Sequence, residues 1–178
     1  MQGGFAFKSE LFQKSGKPII RIANIYNNAV NLNNLVYYND DIKIEQKFNI
    51  NANDLLIAMS GATVGKYGIY HSTNIAYLNQ RIGKIVNLNP DALYYPYLYF
   101  LFELDTYEKQ LQNKLVAGAQ PNISPIDIET MQFKFPNIDL QKKFANITMN
   151  ITKKITIQNN KLDNLHNVKK YLLQQMFI

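Results

Sequence analysis

The chain contains no cysteine. Disulfides and thiolate chemistry are excluded, and the redox compartment is left open. Its two histidines, His71 and His166, lie far apart and share no metal-ligand spacing. Long apolar runs are also missing. The longest, around residues 93–104, is interrupted by Pro96 and Glu103 and is shorter than the roughly 20 residues a spanning helix needs. Met1-Gln2-Gly3-Gly4 opens without the charged-then-apolar pattern of a secretion signal. The expectation is a soluble, cytoplasmic protein without membrane contact. No internal repeat and no low-complexity linker occurs.

Catalytic signatures are equally sparse. Gly61-Ala62-Thr63-Val64-Gly65-Lys66 resembles a phosphate loop but has one residue too few between its glycines, and Tyr67 stands where a magnesium-binding Ser or Thr is needed. Pro90-Asp91 is not followed by the Glu-x-Lys of a nuclease site; Glu45-Gln46-Lys47 lies upstream. No glycine-rich strand–helix turn is present for a methyl-donor cofactor. Asn89-Pro90-Asp91 lacks the aromatic of an amino-methyltransferase motif. These absences argue against an enzyme acting alone.

What is present is a core and a positive charge. Of 178 residues, 47% are hydrophobic, enough for one ordinary domain plus an appended helix. The net charge of +6 favours an anionic partner. From Asp139 onward seven Lys face two Asp, a net +5, which leaves +1 for residues 1–138. Any basic patch on the globular part must therefore be assembled by folding.

The pattern predicts an α+β fold: a strand-rich domain over residues 1–137, followed by a long coiled-coil helix over 138–178. Residues 2–9 read as a loop. Strands are expected at 18–25, 35–38, 54–59, 67–70, 75–78, 81–86 and 131–135. An Asn-rich turn covers 27–34. A helix is expected from Tyr95 to Leu115, ended by Gly118, with one more helical turn at 125–129. The last forty residues place Leu140, Phe144, Ile147, Ile151, Ile155, Leu162, Leu165, Leu172 and Met176 at steps of mostly three and four, a coiled-coil seam. At about 1.5 Å per residue this helix, capped by Asp139, is roughly 55–60 Å long. Ile147, Ile151 and Ile155 form a stutter, and Gln158 and Lys169 then occupy seam positions, which weakens a coiled coil but selects register and partner. Two alternatives stand: a helix folded back on its own domain, or one split at Gln158-Asn159-Asn160, since Asn is a poor helix former.

The glycine loop, even without nucleotide chemistry, offers backbone N–H groups with Ser60, Thr63 and Lys66, a set that can hold a phosphate. A plain hairpin turn is the alternative. Asn79-Gln80-Arg81 and Gln120-Pro121-Asn122-Ile123-Ser124 carry amide and guanidinium groups of the kind that contact base edges, though such residues are common in loops.

Taken together and in order, several stretches carry a resemblance. They are Gly4-Phe5-Ala6-Phe7-Lys8-Ser9, Gly16-Lys17-Pro18-Ile19-Ile20-Arg21-Ile22-Ala23-Asn24-Ile25 and Asp54-Leu55-Leu56-Ile57-Ala58-Met59-Ser60 running into the glycine loop. Asn79-Gln80-Arg81, the Gln120–Ser124 loop and Leu172-Leu173-Gln174-Gln175-Met176-Phe177 complete the set. The chain resembles a specificity (S) subunit of a type I restriction–modification system. The resemblance implies a non-catalytic DNA-recognition subunit that directs methyltransferase (M) and restriction (R) subunits to a bipartite site on double-stranded DNA. It implies no cofactor on this chain, with methyl donor and ATP on partner subunits. A full S subunit has two recognition domains and two long antiparallel helices. This chain has one of each, so a half-length form that homodimerises to read a split palindrome is expected. It also begins at the glycine pair, before which family members have a further strand, and this leaves the domain's edge open. An assembly protein that pairs with a longer specificity subunit without reading DNA is the alternative.

The motifs shared by family members suit phosphate contacts or fold shaping rather than base reading. Expected DNA-binding residues are Lys8, Ser60, Thr63, Lys66, Arg81, Gln120 and Asn122. Gln120, Asn122 and Ser124 could instead hold their loop against the start of the long helix. Base readers are expected in variable segments such as 27–34, 67–74 or 109–114. Expected dimerisation residues are Phe144, Ile147, Ile151, Ile155, Leu162, Leu165 and Leu172. Leu165→Asp would bury an unpaired carboxylate in the seam, a cost of at least about 2 kcal/mol. Light scattering should then show the mass of a dimer falling to that of a monomer, and an unchanged mass would refute the seam.

Overall fold

The computed structural model describes residues 1–26, 29–39, 43–115 and 121–176. Expectations that fall on Asn27, Asn28, Gly118, Gln120 and Phe177 lie outside the described residues. The strands are β1 (Gln2–Gly3), β2 (Lys17–Ile20), β3 (Ile25–Tyr26), β4 (Ala29–Val30), β5 (Val36–Tyr38), β6 (Asn49–Ile50), β7 (Leu55–Ala58), β8 (Tyr67–Ile69), β9 (Ala76–Leu78) and β10 (Ile82–Lys84). The helices are α1 (Tyr95–Phe102), α2 (Asp105–Lys114), α3 (Pro125–Glu129) and α4 (Ile138–Met176). The fold is α+β. Two compact units result: Met1–Pro90 with Leu98–Lys134, and Asp91–Tyr97 with Phe135–Ile178.

In the first unit, one antiparallel sheet has the order β1-β10-β7-β8 among the described residues. A second has the order β5-β2-β9-β6, with β2 and β9 parallel. Strand alternation sorts their side chains. Ile20, Ala76 and Leu78 from the second sheet share a core with Leu56, Ala58 and Ile82 from the first. Ile19 and Tyr77, one residue out of phase, face a separate cluster with Phe7 and Tyr38. Strand β7 is buried on both faces, which is why it reads as an uninterrupted apolar run. Ile57 pairs with Tyr67 on its outer face, and the Tyr67 ring meets Phe102 at 5.3 Å and Tyr107 at 5.8 Å.

Several expected elements are revised. The strand from residue 18 ends at Ile20, because the Asn24 side chain accepts the Arg21 amide (3.0 Å) and turns the chain at Ile22–Asn24. The same buried Asn24 donates to the carbonyls of Asn31 and Asn33, so it anchors the Asn-rich segment. The expected opening loop contains β1, paired with β10. The single helix expected from Tyr95 is two, broken at the extended Leu104, which lets Phe102 and Tyr107 both reach Tyr67. No strand forms at 131–135. There the Gln110 side chain takes the place of a neighbouring strand, accepting from the Gln132 amide (2.8 Å) and donating to its carbonyl (2.9 Å).

In the second unit, α4 runs unbroken through Gln158-Asn159-Asn160, which removes the split-helix alternative. At about 1.5 Å per residue its 39 residues are roughly 58 Å long. Its cap is Asn137, whose Oδ1 accepts the Leu140 amide (3.0 Å), and Asp139 lies in the first turn instead. Gln141, fully buried, accepts from the Tyr94 amide (2.9 Å) and donates to Ala92 (2.9 Å) and Pro136 (2.7 Å). One side-chain amide thereby ties residues 92–94 to the start of the helix. No helix of the described residues is long and apolar enough to cross a membrane.

Gly4 is needed where β1 leaves for the second sheet. A Cβ there would run into the Asn79 carbonyl, which is backbone and cannot step aside. Gly4→Ala should destabilise the chain by about 2 kcal/mol or more. Gly3→Ala, with nothing within 4 Å, should stay within about 0.5 kcal/mol. Thermal melting of the two variants checks the contrast.

Candidate nucleic-acid interface

The candidate residues gather around the end of β7. Ala58 pairs with the glycine loop on one side: its amide donates to Lys66 and its carbonyl accepts from Gly65, both at 2.8 Å. Met59 donates to the Arg81 carbonyl at 2.9 Å on the other side. Met59 also accepts from the Ile123 amide at 2.8 Å, and Gly61 donates to Pro121 at 3.1 Å. Ser60 and Asn122 form the bridge between these two segments. The structure thus brings Ser60, Thr63, Lys66, Arg81 and Asn122 to one end of the unit.

Their roles differ from the expectation of a phosphate cradle. The amides of Gly61, Val64, Gly65 and Lys66 are committed to Pro121, Gly61, Ala58 and Thr63. The Thr63 hydroxyl donates to the Ile22 carbonyl at 3.2 Å. The Ser60 Oγ is enclosed without a hydrogen-bond partner. An anion would have to displace internal bonds to use these groups, so the loop is built for the fold. Gly65 adopts φ 78°, and the Tyr107 hydroxyl donates to its carbonyl at 2.5 Å. Burial pushes the Tyr67 and Tyr107 hydroxyls above the ordinary tyrosine range and Tyr99 up to about 12, so these tyrosines stay neutral.

The cations remain available. Lys66 is half-buried and Arg81 exposed. They leave the strands on either side of β7, so their backbones stand roughly 10 Å apart, two strand spacings. Asn79 shapes the turn before Arg81: its Oδ1 accepts the Arg81 amide (3.3 Å) and its carbonyl accepts from Ile82 (2.9 Å). Lys8 is exposed on a neighbouring segment, where Phe5 donates to Leu78 (2.8 Å) and accepts from Gln80 (2.9 Å). Asn122 is held through its backbone and its side chain is exposed. Gln120 lies outside the described residues. Ser124 caps α3, not the long helix: its Oγ accepts from the Asp127 amide at 3.2 Å. Ser124 hydrogen bonds in turn hold the Asp127 carboxyl below its usual range. That contribution is complete at neutral pH and is lost as pH falls through the lowered value.

Along α4 the expected seam is uncovered. Phe144, Ile147, Ile151, Ile155, Leu162, Leu165 and Leu172 are each 48–62% exposed. Past Ala145 no residue of α4 up to Met176 is buried. Among the described residues no group of His, Cys, Asp or Glu is placed to hold a metal ion. His71 and His166 are both exposed.

Comparison with solved structures places this architecture. A chain from work on complex assembly and conformational transition of the type I R-M system superposes with a TM-score of 0.57 at 14% identity, covering 88% of this chain. The type I restriction-modification S subunit from M. genitalium gives 0.54 at 17% identity and 85% coverage. At such identities the likeness is one of fold. The chain spans 36% of the length of each. No curated protein matches it. Residues 1–167 match the model of the type I restriction modification DNA specificity domain, so the chain belongs to that family.

Proposed function

We propose that the chain is a non-catalytic DNA-recognition subunit of a type I restriction–modification complex, bringing methyltransferase and restriction subunits to a bipartite duplex site. The observation that carries this reading is the convergence of Lys66 and Arg81 on one end of the sheet, in a unit whose sequence is nearly neutral. Two cations from distant points in the sequence at one end of a nearly neutral unit support an anionic partner there. Methyl donor and ATP belong to the partner subunits in this reading.

The chain pairs with a second copy through α4 and reads a split palindrome. The uncovered seam supports this, and the seam favours antiparallel pairing. A parallel, in-register pair would set Lys169 against its own copy, a like-charge contact inside the seam. Opposed helices separate the two lysines and give each copy one half-site.

Lys66→Ala and Arg81→Ala should each weaken duplex binding and reduce the slope of log affinity against log salt by about 1. Ser60→Ala should leave binding unchanged and melting unchanged or slightly higher, since it deletes an enclosed hydroxyl without a partner. Titrations of duplex across salt concentrations test both. Undiminished binding by the Lys66/Arg81 double variant would favour the alternative, an assembly protein that pairs with a longer specificity subunit.

A further inference from the structure

We infer that Arg21 is a further DNA-contacting residue, a guanidinium set in place to receive a backbone phosphate. The inference rests on the DNA-recognition reading above. Arg21 leaves β2 directly after the fully buried Ile20. The carbonyl before it, of Ile20, accepts from the Asn79 amide at 3.3 Å. The carbonyl after it, of Ile22, accepts from the Thr63 hydroxyl at 3.2 Å. Its backbone is therefore fixed between the turn that presents Arg81 and the loop that leads to Lys66.

The side chain is as constrained as the backbone. Arg21 is half-buried, and its guanidinium carbon lies 5.8 Å from the Phe12 ring centre. Its Nε is enclosed with no hydrogen-bond partner. The ion pairs among the described residues engage Glu45, Asp54, Asp127 and Glu129 with other cations, and none includes Arg21. A cation partly withdrawn from water without an anion weakens the folded chain. The arrangement gains its counter-charge when an external anion arrives, and the cation–π contact with Phe12 already limits part of the freedom that binding would otherwise remove.

Phosphate suits this placement better than a base edge. A base reader must project into a groove about 8.5 Å deep. Arg21 is half-buried with its guanidinium carbon 5.8 Å from the Phe12 ring centre, which shortens its reach beyond the protein surface, where the DNA backbone is met first. With Nε enclosed, the remaining N–H donors are those of the two Nη atoms, and they form a fork suited to a phosphate.

The test uses the purified full chain, a random-sequence duplex pool, and the Arg21→Gln and Arg21→Lys variants. Arg21→Gln should weaken binding roughly five- to tenfold and lower the salt slope by about 1, with the same sequences recovered from the pool. Its melting temperature should be unchanged or higher, and Arg21→Lys should retain part of the affinity. Unaltered affinity and slope in Arg21→Gln, while the parent chain binds, would overturn the assignment and leave the DNA reading intact. A changed base preference would overturn it as well, making Arg21 a base reader. A lower melting temperature with an unchanged slope would make Arg21 structural. If the parent chain binds no duplex, the DNA reading falls and this inference falls with it.

Discussion

The hydrogen bonding at the end of strand β7 is the constraint on which the candidate interface depends. Ala58, Met59 and Gly61 are bonded to the glycine loop just before β8, to Arg81 just before β10 and to the segment before α3. Ala58 and Met59 are buried, so their backbone groups have little water to turn to and must find partners within the chain. Meeting that demand draws Lys66, Arg81 and Asn122 together. The same demand commits the amides of the glycine loop. At this end of the unit the side chains, rather than the amides of Gly61, Val64, Gly65 and Lys66, are what a ligand would meet.

A second constraint separates the two units. The first is closed by its own cores, with Asn24 and Asn79 satisfying the turns beside Arg21 and Arg81. In the second, Gln141 secures the start of α4, and the apolar residues beyond Ala145 are left in solvent. An isolated helix of this kind has little packing to hold it, and most helical stability in proteins comes from covering the apolar face. The uncovered apolar face of α4 is what the proposed second copy would cover.

Much of the fold was legible residue by residue. The apolar run at β7, the Pro125 turn and the seam of α4 follow from local pattern. Gly4, Gly65 and the glycine-loop string carried the family resemblance that the match over residues 1–167 bears out. The failures have one origin. Residues 131–135 look like a strand, but a Gln110 side chain holds them. Arg21 falls inside the strand expected at 18–25, and only its neighbours in space, Phe12, Asn79 and Thr63, give it a setting.

The sequence by itself determined the elements whose signals are local: the periodicity of the long helix, the burial of β7, the absence of cysteine chemistry and the net positive charge. Tertiary structure alone decided which polar groups stay free. Ser60 and Thr63 read as phosphate ligands in the linear order, yet one is enclosed and the other bonds Ile22, 41 residues away. The physical reason is that a donor can be taken by any acceptor the fold brings within about 3 Å, and that proximity is not written in the neighbouring letters.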